Sequence, residues 1–71
     1  MANDEALSRL DTVVDEIAQM QGARVDRHQI SPGSWIASIE TDDWAVTGEG
    51  ATEAQALSNL IRNARSEGRA N

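Results

Sequence analysis

Histidine is the side chain best suited to general acid–base work near neutrality, and His28 is the only one in the chain. It stands in the charged run Arg24-Val25-Asp26-Arg27-His28, with no lysine or tyrosine anywhere to assist it. A lone histidine in such a setting reads more simply as a surface residue of an edge strand. Asp42 and Asp43, with Glu40 and Glu49 close by in sequence, could offer oxygen ligands to a hard cation. Adjacent carboxylates between two strands have a plainer use as turn residues that keep a hairpin soluble. Trp35 and Trp44 are the only aromatic residues. They could stack a base, but their spacing turns both toward the inside of a sheet, where packing is the simpler role. No nucleophile, base and orienting group can be assembled, and neither metal-ligand spacing nor a phosphate loop occurs. The sequence therefore implies a protein that is not an enzyme and takes no cofactor.

Surfaces remain as candidates for a partner. Arg62, Arg65 and Arg69 recur on one side of a C-terminal helix. They form either a docking patch for an acidic partner or a counterweight to the helix dipole and to the acidic side of the first helix. That acidic side carries Asp4, Asp11 and Asp15, which could themselves imitate a phosphate backbone. The sheet face opposite the tryptophans carries Ile36, Ser38, Ala45 and Thr47 and reads as nearly free of charge. The third strand beside it lacks a neighbour, so face packing or strand addition there is the preferred contact.

The elements that position these residues follow from periodicity. Asn3 or Asp4 can cap a first helix whose Leu7, Leu10, Val14 and Ile17 make one apolar stripe, with Val13 and Met20 widening it, up to a stop at Gly22. Arg24 to Ile30 reads as an edge strand. Val25 and Ile30 have opposite parity there, which demands a bulge or an exposed residue. Ser31-Pro32-Gly33-Ser34 is a type II turn. Trp35 to Glu40 alternates as a second strand, Thr41-Asp42-Asp43 turns the chain, and Trp44 to Thr47 alternates as a third. The inner face then holds both tryptophans, Ala37, Ile39 and Val46. Gly48 and Gly50 free the backbone to swing out of the strand. Thr52 caps a second helix, Gln55 reaches back to complete a capping box, and Leu57, Leu60, Ile61 and Ala64 share one face until Gly68. Arg69, Ala70 and Asn71 are expected to fray.

Seventy-one residues give one domain, residues 1–71, with a small core and no disulfide to support it, which favours oligomerisation. Net charge is −6, and all six basic residues are arginine. Unaided binding to nucleic acid is disfavoured, because phosphate neutralisation supplies most of that affinity. No apolar run approaches the roughly 20 residues of a membrane span. Together with the acidic start and the missing cysteines, this implies a cytoplasmic protein with no membrane partner.

The order helix, three antiparallel strands, helix resembles the double-stranded-RNA-binding domain. Gly48, Gly50, Thr52 and Ala56 occupy positions that match that family's entry into its second helix. Its phosphate-binding lysines, however, are replaced by Glu53, Ala54 and Leu57, so the resemblance implies the fold without the RNA site. The run Thr52-Glu53-Ala54-Gln55-Ala56-Leu57-Ser58-Asn59 is similar to the start of the helix in HicB-type antitoxins, with Gln55 in place of a glutamate. That resemblance implies a stand-alone protein-binding domain. The expectation is thus an α+β, α-β-β-β-α protein with a three-stranded antiparallel sheet and both helices on one face. It would act as a non-catalytic protein-binding module and homodimer through Asp4, Asp11, Asp15, Ile36, Ser38, Ala45, Thr47, Arg62 or Arg65. A phage-encoded inhibitor that mimics nucleic acid is the alternative, and retained RNA binding is a third reading.

Overall fold

The computed structural model describes residues 2–69, with side chains from Glu5 onward. Helix α1 (Ala2–Gln21) is followed by β1 (Arg24–Ser31), β2 (Ser34–Glu40) and β3 (Ala45–Gly50), and then by α2 (Glu53–Ser66). The strands form one antiparallel sheet in the order β1-β2-β3. The expected α-β-β-β-α architecture is therefore the one observed.

Both helices end as glycine allows. Gly22 sits at φ 64° after α1, and the Ala23 N–H donates to the Ala18 carbonyl at 2.8 Å. Gly68 at φ 74° does the same after α2, where the Arg69 N–H donates to the Ala64 carbonyl at 2.7 Å. Each is the left-handed C-terminal cap that only glycine adopts without strain. Asn3 and Asp4 do not cap α1, because the helix already includes them. At the start of α2, the Gln55 N–H donates to Thr52 Oγ1 at 3.1 Å and Gln55 Oε1 accepts from the Ala51 N–H at 2.9 Å. The reciprocal cap forms as expected, with its second bond one residue earlier than usual.

Cross-strand register sorts the sheet into rows. Val25–Ile39–Val46, Arg27–Ala37–Gly48 and Gln29–Trp35–Gly50 align across the three strands. Side chains of these rows share the face on which the helices pack, since the core joins Val14 and Ile17 of α1 and Leu57, Leu60 and Ile61 of α2 to Ala37, Ile39 and Val46. Trp35 and Trp44 pack half-buried against this cluster, so both indoles turn inward as their parity predicts. The misfit of Val25 and Ile30 resolves into a register shift between Gln29 and Ser31, with Ile30 left 56% exposed.

The two strand glycines play a different part from the expected one. Gly48 and Gly50 are absent from the positive-φ residues, and β3 continues straight through both. A Cβ built on Gly48 would lie 2.2 Å from the Leu60 nitrogen and 2.5 Å from the Ala56 oxygen. One on Gly50 would lie 2.5 Å from Gln55 Cβ. These glycines remove side chains so that the backbone of α2 can rest on the strand.

Candidate functional site

Alternation along the strands decides which backbone groups are free. The Thr41 N–H donates to the Trp44 carbonyl at 2.8 Å, which makes this pair hydrogen-bonded across the hairpin. Bonding and non-bonding pairs alternate in an antiparallel ladder, so Val46, Gly48 and Gly50 turn their peptide groups toward β2. Ala45, Thr47 and Glu49 turn theirs to the open edge. Two of those carbonyls are occupied: Asn63 Nδ2 donates to Thr47 O at 2.7 Å and Asn59 Nδ2 to Glu49 O at 2.6 Å. One helical turn of α2 thus blunts the β3 edge, which argues against the strand addition expected there. Asn63→Ala should cost about 1 kcal/mol in urea denaturation, the usual worth of one hydrogen bond. The double change Asn59→Ala/Asn63→Ala should in addition raise light scattering, as an unblocked strand edge aggregates.

The outer face of the sheet is more charged than its β2 and β3 residues alone suggest. Ile36, Ser38, Ala45 and Thr47 lie on it together, but the same parity also places Arg24, Asp26, His28, Glu40 and Glu49 there. Arg24 lies 3.8 Å from Glu40 and 3.7 Å from Asp42, and His28 lies 3.8 Å from Asp26. The face is therefore a small polar surface with a half-buried Ile36 near its middle, and its expected freedom from charge is corrected. The register explains why: Glu40 and Glu49 share the parity of Ile36 and Thr47, and β1 adds a charged row alongside. Asp42 is engaged by Arg24, and among the described residues no group of three metal-ligating side chains converges.

Arg27, expected with Arg24 and Asp26 as one of the charges that guard an edge strand, serves a different purpose. It points to the inner face, in contact with Asp11 of α1 and 3.6 Å from Glu53 of α2. Its parity with Val25 carried the signal, since an arginine two residues from an inward valine must also face inward. Of the acidic side of α1, the Asp4 side chain lies outside those described, Asp11 is neutralised by Arg27, and Asp15 is exposed. The expected pairing of that side with Arg62 and Arg65 is not what Asp11 does.

Arg69 also departs from expectation. Its guanidinium lies 4.7 Å from the centre of the Trp44 ring, a cation–π contact fixed by the cap after α2. It is neither frayed nor in one row with Arg62 and Arg65. Those two arginines instead border a groove of about 360 Å³ between α1 and α2, lined by Leu10, Val13, Ser58, Ile61, Arg62 and Arg65. Ser58, Ile61, Arg62 and Arg65 fall at i, i+3, i+4 and i+7, one flank of α2. Leu10 and Val13 of α1 are half-buried and form the opposite wall. Among the described residues, neither Arg62 nor Arg65 lies within ion-pair distance of a carboxylate.

Comparison with protein-family models, with curated proteins and with solved structures finds no significant match.

Proposed function

We propose that this chain is a non-catalytic protein-binding module that seats an acidic, amphipathic segment of a partner protein in the groove between α1 and α2. The observation that carries this reading is the contrast among its arginines. Arg24 and Arg27 face carboxylates and Arg69 covers an indole; of the three exposed arginines with no carboxylate in ion-pair distance among the described residues, Arg9, Arg62 and Arg65, only Arg62 and Arg65 stand over an apolar trough, in a chain of net charge −6. A helix with an apolar stripe would fill a trough of this kind, and carboxylates along its side would meet the two guanidiniums.

The outer sheet face is less suited to the role because its apolar content on β2 and β3 is confined to Ile36 and the small Ala45 among charged neighbours. The RNA-binding reading is disfavoured by Glu53, whose carboxylate faces Arg27 at the start of α2 where a phosphate would need a cation. Mimicry of nucleic acid by α1 loses Asp11 to the same arginine. The test is partner capture by wild type, Arg62→Glu/Arg65→Glu, Asp15→Lys and Ile36→Asp. Reversal of both arginines should weaken capture tenfold or more, since it replaces two attractions with two repulsions. Ile36→Asp and Asp15→Lys should leave capture unchanged. Undiminished capture by the double reversal would overturn the reading.

A further inference from the structure

The two edges of the sheet are treated differently. On β3, side-chain amides of α2 hold the outward carbonyls of Thr47 and Glu49. On β1, the alternation set by the Thr41–Trp44 pair turns the peptide groups of Arg24, Asp26 and His28 toward β2. Those of Val25, Arg27 and Gln29 therefore face outward, and among the described residues no hydrogen bond reaches them.

We propose that β1 pairs with β1 of a second copy of this chain, antiparallel about a two-fold axis at Arg27, to make a continuous six-stranded sheet. This register sets Val25 against Gln29 of the partner subunit and Arg27 against its own counterpart, so the outward N–H and C=O groups of all three residues are satisfied together. On the outer face it sets Asp26 against His28 of the partner subunit, and His28 against Asp26 of the partner subunit. Acid thus meets base twice, at positions where cross-strand side chains approach most closely. Moving the axis by one residue to Asp26 would put like carboxylates opposite each other.

An inward charge on an edge strand ordinarily guards it against extension. Arg27 does not, because Asp11 and Glu53 already neutralise it beneath the sheet. The register shift lies between Gln29 and Ser31, beyond the residues that pair. Such a dimer also closes. Among the described residues its remaining edges are the two β3 strands, where Asn59 and Asn63 hold the Thr47 and Glu49 carbonyls and hinder further strand addition.

The test is sedimentation equilibrium of the full chain over a concentration series, with circular dichroism to establish that each variant is folded. Wild type should reach the mass of two chains. Asp26→His and His28→Asp each create two like or mismatched pairs, and each should weaken association about tenfold. The exchange of both, Asp26→His/His28→Asp, restores acid opposite base in this register alone and should recover wild-type association. Amide exchange at Val25, Arg27 and Gln29 should slow as concentration rises. A single-chain mass at every concentration would overturn the proposal, as would single variants that associate like wild type. A dimer abolished by Arg62→Glu/Arg65→Glu with β1 amides still exchanging freely would also overturn it, and would place the second copy in the helix groove.

Discussion

Gly48→Ala is expected to remove about 3 kcal/mol of stability, the upper end of what an overpacked core position costs. Domains of this size are held by only about 0.05–0.15 kcal/mol per residue, so much of the total is at stake. The added methyl would sit 2.2 Å from the Leu60 nitrogen and 2.5 Å from the Ala56 oxygen, and both are backbone atoms of α2. No rotamer can relieve such contacts. The helix must rise from the strand by about 1 Å or more to reach the ~3.5 Å at which non-bonded atoms settle. That movement would loosen Leu57, Leu60 and Ala64, all fully buried, from Ile39 and Val46.

Backbone strain does not enter, since Gly48 is not among the positive-φ glycines. Gly22→Ala provides the contrast. Gly22 has open space within 4 Å but sits at φ 64°, so its loss reflects the left-handed backbone alone, about 1 kcal/mol. Urea midpoints should rank wild type above Gly22→Ala and both above Gly48→Ala. A Gly48→Ala midpoint at or above that of Gly22→Ala would mean that α2 does not ride on the strand.

These two glycines mark what was legible in the sequence. Gly22 announced itself, because a glycine after an amphipathic run has one common use. Gly48 was visible as a glycine beside a helix start, but turning and close approach look alike in one dimension. Only the register, which puts Gly48 opposite Ala37 and under Leu60, separates them. The core was legible for the same reason as Gly22: Leu57, Leu60, Ile61 and Ala64 repeat at helical spacing, and Ile39 and Val46 share strand parity. The candidate surfaces were less so. Asn59 and Asn63 look like ordinary polar residues of a helix until the strand whose carbonyls they hold is laid beside them. Arg62 and Arg65 were recognisable as a basic pair, but Leu10 and Val13, about fifty residues earlier in the chain, supply the other wall of their groove.

The second large effect belongs to Arg27, and it follows from a conflict between charge and burial. With side-chain exposures of 30% for Arg27, 37% for Asp11 and 29% for Glu53, the three charges are partly withdrawn from water at the point where both helices meet β1. Arg27→Ala leaves two carboxylates facing one another on the rim of the core, without the cation between them. Removing one member of a fully buried pair costs several kcal/mol, and solvent reduces that here to about 2 kcal/mol. Glu53→Gln should cost less than half as much, because Asp11 still holds the guanidinium. The diagnostic is the combination. Arg27→Ala with Asp11→Asn and Glu53→Gln removes the repulsion as well as the attraction, and should recover more than half of the loss seen in Arg27→Ala alone. Salt gives an independent reading: it should stabilise Arg27→Ala by screening the paired carboxylates and leave the triple variant indifferent. If Arg27→Ala unfolds no more readily than Arg62→Ala, whose side chain is exposed, then Arg27 does not join the helices to the sheet.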